Sequence, residues 1–145
     1  MTGSIERIFL EMLGSEPKAA PLIVCFYTGA APPACAEMVR DPRPPIGTVF
    51  DERFGSVVDD AISLNAAIHD GAIMVGRPKP GENYRVQGWS YRLFPPELPC
   101  TLFPNRGSAF NSCLAMSRIA RVDALYMLNA TSLWRFMHGA AKQLG

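Results

Sequence analysis

Histidine is scarce: the 145 residues include only His69 and His138. Neither stands at a metal-ligand spacing from a second ligand, which argues against a metal site built on imidazoles. The four cysteines, Cys25, Cys35, Cys100 and Cys113, make no CxxC pair and no zinc-ribbon spacing. Charged residues are few, at 19%, and nearly balanced, with a formal net charge of +1. No overall basic field is present to draw in nucleic acid. No apolar run approaches the roughly 18 residues of a membrane span. The opening residues 1–7 lack the basic start and long apolar stretch of a secretory signal. Internal repeats, low-complexity tracts and a Ser/His/Asp set are also missing. The expectation is a cytoplasmic protein with no membrane and no nucleic-acid partner, in which Cys25 and Cys113 are reduced core residues.

What is present is a sequence with 48% hydrophobic residues, enough for one domain over residues 1–145 with its own core. Thirteen prolines punctuate it, and the segments between them are periodic. Residues 4–13 carry Ile5, Ile8, Phe9, Met12 and Leu13 at helical spacing, with Ser4 as a cap and Gly14 as a stop. Residues 21–27 are continuously apolar and suit a strand buried on both faces. Further helices are expected over 33–40, 53–67, 105–121 and 132–142. Further strands are expected over 47–50, 71–76, 84–93 and 123–128, with 71–76 and 84–93 joined as a hairpin across the 78–83 turn. Residues 41–45 are too proline-rich for a helix. Alternation of this kind predicts an α/β fold, a central mixed β-sheet flanked by helices.

Charge is distributed unevenly. Residues 1–97 hold 9 basic and 12 acidic side chains, whereas residues 98–145 hold 5 and 1. The basic surplus in the second part fits either a solvated face or an anionic ligand. Two local patterns carry chemistry. In Ile68-His69-Asp70-Gly71-Ala72 a helix ends, two polar residues follow, and a glycine leads into a buried strand. Asp70 is placed at a strand mouth, where a carboxylate serves a hard cation or a ribose hydroxyl, and Gly71 permits close approach of a ligand. A plain turn role for Asp70 fits the same spacing. The second pattern is Asn105-Arg106-Gly107-Ser108-Ala109-Phe110-Asn111-Ser112. Free amides at the start of a helix attract anions, Arg106 can pair with phosphate, and Ser108 and Asn111 can donate hydrogen bonds. An ordinary cap by Ser108 also explains it, and the lysine of a phosphate-binding P-loop is absent.

The order of these features resembles the diadenylate cyclase (DAC) domain family, which makes cyclic di-AMP from two ATP. Pro21-Leu22-Ile23-Val24 is similar to the family's first buried strand. His69-Asp70-Gly71-Ala72 matches its DGA motif with the usual preceding histidine. Gly107 through Ser117, followed by Asp123-Ala124-Leu125, resembles its second signature region. The likeness spans residues 5–135 in order. It implies a single DAC-like domain, adenine-nucleotide binding (ATP or cyclic di-AMP), Mg or Mn if the site is active, and a face-to-face homodimer. By this resemblance Asp70 is the catalytic and metal-holding residue. Asp70, Gly71, Ala72, Arg106, Gly107, Ser108 and Asn111 are the nucleotide-binding residues. One departure is large. Where the family has Gly-Thr-Arg-His-Arg, this sequence has Gly107-Ser108-Ala109-Phe110-Asn111, so both phosphate-holding arginines and the histidine are missing. Two facing ATP molecules bring several negative charges together, and guanidinium groups are their strongest bidentate partners. Three readings follow: a DAC-like nucleotide-binding or sensor domain with degraded cyclase activity, an active divergent diadenylate cyclase (a nucleotidyltransferase) making cyclic di-AMP from ATP, or a small α/β interaction module without a nucleotide. If a dimer forms, Phe110 is expected as an apolar contact between the two copies.

Overall fold

The structure, a computed structural model, describes residues 2–15, 21–38, 41–96 and 107–145. Its centre is a seven-stranded mixed sheet of order β2-β4-β3-β1-β5-β6-β7. The strands are β1 (Leu22–Thr28), β2 (Cys35–Glu37), β3 (Ala72–Arg77), β4 (Arg85–Leu93), β5 (Val122–Leu128), β6 (Leu133–Met137) and β7 (Ala140–Gln143). β1 and β3 run parallel and all other neighbours are antiparallel. The helices are α1 (Thr2–Gly14), α2 (Phe54–Leu64) and α3 (Gly107–Met116). The expected α/β architecture, a mixed sheet flanked by helices, is therefore observed.

β1 is central because its residues are apolar on both sides. Leu22, Val24 and Phe26 face α1 and α2, where they meet Phe9, Phe54, Val58 and Ala61. Cys25 and Tyr27 face α3, where they join Phe110, Cys113, Leu114 and Met116. Burying a large apolar side chain on either face stabilises the fold by about 1.5–3 kcal/mol. Aromatic rings add directional contacts: Phe9 stacks on Tyr126 with centroids 4.7 Å apart, and Phe26 meets Phe50 edge-on at 5.0 Å.

Two expected helices are strands. Residues 133–137 place Leu133, Phe136 and Met137 at intervals that suit one helical face, which is why 132–142 reads as a helix. The structure instead sends Leu133 to the α1 side of the sheet and Trp134 and Phe136 to the α3 side. β5 would otherwise end the sheet as a long apolar edge, and the β6–β7 hairpin covers it. The hairpin turns at His138 and Gly139, both at positive φ (51° and 79°), the signature of a tight two-residue turn matched to strand twist. The 33–40 segment is likewise β2, which pairs Cys35, Ala36 and Glu37 with Leu93, Arg92 and Tyr91. Three residues after Pro32-Pro33 gain more from a waiting sheet edge than from one turn of helix.

Other boundaries shift less. The 53–67 helix is α2 plus a 3-10 turn over Ala66–His69. α3 stops at Met116, and Val122 opens β5. Residues 105 and 106 of the expected third helix lie outside the described residues. The 47–50 segment forms one bridge, Val49 to Arg85, rather than a full strand. The β3–β4 hairpin is present as expected, with two register shifts.

Candidate functional site

Asp70 owes its position to the 3-10 turn. The side-chain oxygen of Asn65 accepts from the Ala67 amide at 3.1 Å and caps the turn, and the Asp70 amide closes onto the Ala67 carbonyl at 3.2 Å. His69 is held by its own backbone, with Nδ1 2.6 Å from the Ala66 carbonyl oxygen, and its Nε2 lies 3.4 Å from Asp70 Oδ1. The Asp70 side chain is about half exposed (55%), so its carboxylate can be reached from solvent.

Gly71 follows with φ +77°. A Cβ there would lie 2.5 Å from the Tyr91 carbonyl oxygen of β4. The sheet itself therefore requires glycine at this point, whatever binds beside it. Ala72 then enters β3 between Ile23 of β1 and Tyr91 of β4.

These residues form one wall of a cleft of about 550 Å³. Tyr91, Arg92, Leu93 and Phe94 at the end of β4 form a second wall, and Ser108, Ala109 and Ser112 of α3 form the third. The volume falls within the range of small-molecule sites. α3 begins with amides that have no intrahelical acceptor, and no acidic side chain sits in its first turn to offset the positive end. Burial holds the Tyr91 phenol above its ordinary value, so it remains a neutral hydrogen-bond donor. The Arg92 guanidinium lies 6.0 Å from the centre of the exposed Phe94 ring.

The cleft thus brings Asp70, Gly71 and Ala72 together with Ser108. Gly107 opens α3 one residue before that wall. Asn111 does not line the cleft, and its amide donates to the Gly107 carbonyl oxygen at 3.1 Å. Arg106 lies outside the described residues. Phe110 is buried (2% exposed), edge-on to Trp134 and Phe136 at 5.1 and 4.9 Å. The expected role of Phe110 as a contact between copies is therefore overturned, because its ring is spent in the core beneath α3. Sequence reasoning missed Tyr91, Arg92 and Phe94. Simple hairpin counting from the Gly76–Arg85 pair sets Trp89 opposite Ala72, and the two register shifts in β4 bring Tyr91 there instead.

No family model matches the sequence, and no curated protein matches it either. Solved structures do. A hypothetical membrane-spanning protein from Bacillus cereus superposes with a TM-score of 0.65 at 8% identity, covering 99% of this chain. This chain spans 63% of that protein's length. A double-cysteine mutant of DacA from Staphylococcus aureus superposes with a TM-score of 0.58 at 10% identity, covering 97% of this chain and 83% of DacA. The chain has a DacA-like fold. At such identities the likeness concerns the fold alone. Among the described residues of this DacA-like fold, no helix is long and apolar enough to cross a membrane. Nor do three or more His, Cys, Asp or Glu side chains converge as a metal cage among them. Asp70 offers one carboxylate, which suits Mg²⁺ or Mn²⁺ only where nucleotide phosphates and water complete the shell.

Proposed function

We propose that this chain binds an adenine nucleotide in the cleft between Asp70-Gly71-Ala72 and the start of α3, with diadenylate cyclase chemistry degraded or lost. The observation that carries the reading is the meeting of the two motif regions, far apart in sequence, across one cleft. The DacA-like fold supports it. In this reading Asp70 holds a ribose hydroxyl or a divalent cation, and the cation, when bound, offsets phosphate charge. The amides opening α3 and the Ser108 hydroxyl receive phosphate oxygens. Tyr91 and Phe94 offer apolar surface beside the base.

The loss of cyclase chemistry rests on what stands in place of the arginines. Ala109 presents a methyl group to the cleft, and Phe110 is turned into the core. Arg92 is a guanidinium on the cleft wall, supplied by β4 rather than by α3. It favours phosphate binding, but a single guanidinium does not neutralise two facing triphosphates.

Calorimetry with ATP, AMP and cyclic di-AMP tests the binding. Weak binding in the millimolar range is expected, with AMP comparable to ATP, and Asp70→Ala and Ser108→Ala each weaken it several-fold. If none of the three binds at millimolar concentration, the interaction-module reading replaces this one. Product analysis after incubation with ATP and Mn²⁺ should show little or no cyclic di-AMP. Sustained turnover abolished by Asp70→Asn would instead establish an active cyclase. The dimer implied by the family resemblance is proposed through the edge bearing Asp70 and Ser108, and light scattering showing a monomer at all concentrations would remove it.

A further inference from the structure

At the opposite end of the sheet, the last residues of β1 and β3 meet the first residues of β5 and the entry to β4, and four polar side chains converge. Asp123 Oδ2 accepts from both the Thr28 hydroxyl and the Tyr84 phenol, each at 2.5 Å. Thr28 Oγ1 in turn accepts from Arg77 Nε at 3.0 Å, and the Arg77 guanidinium lies over the Tyr84 ring, 4.4 Å from its centre. Arg77, Tyr84 and Asp123 border a pocket of about 230 Å³, closed on its other side by Tyr126, Met137 and His138. Arg77 ends β3, whose first residue Ala72 lines the proposed nucleotide cleft, roughly 17 Å away at the rise of a strand.

Hydrogen-bonding capacity is left over here. Among the described residues Arg77 uses only Nε, so its two terminal nitrogens have no acceptor. Asp123 uses only Oδ2, so Oδ1 has no donor among them. The guanidinium and the carboxylate do not pair with each other. The Thr28 hydroxyl sits between them, donating to one and accepting from the other. Two opposite charges are thus held apart at one pocket, each with an unused edge.

We propose that this pocket binds a small α-amino acid. Its carboxylate lies on the terminal nitrogens of Arg77, and its ammonium group on Asp123 Oδ1. The planar guanidinium edge suits a carboxylate bidentately. The pocket lies below the size range of drug-like sites, which excludes a nucleotide and suits a molecule of a few heavy atoms. The site is independent of the nucleotide reading.

The test is a titration of the whole chain, by calorimetry and thermal shift, with glycine, L-alanine, L-serine, L-aspartate and L-glutamine at millimolar concentration. Propionate and ethylamine serve as the forms of alanine that lack one charge each. The expected result is saturable binding of at least one amino acid, and at least tenfold weaker binding of both single-charge analogues. Asp123→Asn and Arg77→Lys should each weaken binding about tenfold, a change of roughly 1.4 kcal/mol. Asp123→Asn disturbs the Thr28 and Tyr84 contacts as well. Arg77→Lys keeps a cation at the partly exposed end of β3 and removes the planar edge, so it stands as the variant that folds. Asp70→Ala should leave amino-acid binding unchanged. The proposal is overturned if no amino acid binds the folded wild-type chain, if an analogue with one charge binds as well, or if Arg77→Lys binds like wild type.

Discussion

Adjacent residues on α3 face different environments, and this decides what each will tolerate. Ala109 is partly exposed on the cleft wall, whereas Phe110 is buried beneath it. Placing a guanidinium at the first position adds a charge where phosphate is proposed to sit. Ala109→Arg should therefore strengthen ATP binding about tenfold, read by calorimetry, with little change in thermal midpoint. Phe110→His places a polar ring among Cys113, Trp134 and Phe136 and should destabilise the fold by about 3 kcal/mol in urea unfolding. Wild-type stability in the Phe110→His variant would show that the ring is not packed as described. Gly71 shows the same separation of roles. Its positive φ and the Tyr91 carbonyl oxygen 2.5 Å from any added Cβ mean that Gly71→Ala should lower stability by about 2–4 kcal/mol even without nucleotide. Loss of binding in that variant would not identify a ligand contact, which is why Asp70 and Ser108 are the informative substitutions.

At the scale of elements, the terminal hairpin is the clearest case of a structure made by its turn. β6 and β7 pair from Trp134–Gln143 to Met137–Ala140 across His138-Gly139. The turn is tied inward as well, since the Gly139 amide donates to Ser117 Oγ at 3.0 Å. A Cβ on Gly139 would take up the left-handed conformation and press on Arg118 Cγ at 3.1 Å. Gly139→Ala is expected to cost about 1–2 kcal/mol and to speed amide exchange in β7 before β1. Uniform exchange rates across both strands would contradict a locally fixed hairpin. The Glu6–Arg135 ion pair, 2.6 Å and largely shielded, ties the same hairpin to α1.

For the whole molecule, the two-sided core sets the response to alkali. Burial pushes the Cys113 thiol up to about 12 and raises the Cys25 thiol further. Burial, with the hydrogen bond to Asp123 second, pushes the Tyr84 phenol up to about 12, and burial also raises Tyr126. These groups stay protonated in the fold when the unfolded chain has begun to ionise. Their contribution to stability is complete below the ordinary thiol value of 9.0. It falls as pH rises from there towards about 12. The urea midpoint should therefore drop between about pH 8 and pH 11, and Tyr84→Phe should make that drop shallower. Thiol labelling at neutral pH should leave Cys25 and Cys113 unmodified until the chain unfolds globally, because both are fully buried.

The sequence by itself determined the elements whose pattern admits one reading. The apolar run of β1 has no polar face to show to water, so it lies at the centre of the sheet. α1 and α2 have one apolar stripe each and lie on the sheet. Asp70-Gly71-Ala72 stands where a turn enters a buried strand, as its residue order requires. Tertiary structure decided what local pattern leaves ambiguous. Leu133, Phe136 and Met137 satisfy both a helical face and a two-sided strand, and the open edge of β5 selects the strand. Cys35–Glu37 is too short to choose for itself, and the exposed edge of β4 chooses for it. The register shifts in β4 were not legible, because a bulge depends on how Gly88 and Ser90 fit their neighbours rather than on their identity. Those shifts are what bring Tyr91 beside Gly71 and so shape the cleft. The Thr28–Arg77–Tyr84–Asp123 cluster was equally invisible, since its members are single polar residues at the ends of four segments and only the assembled sheet makes them neighbours.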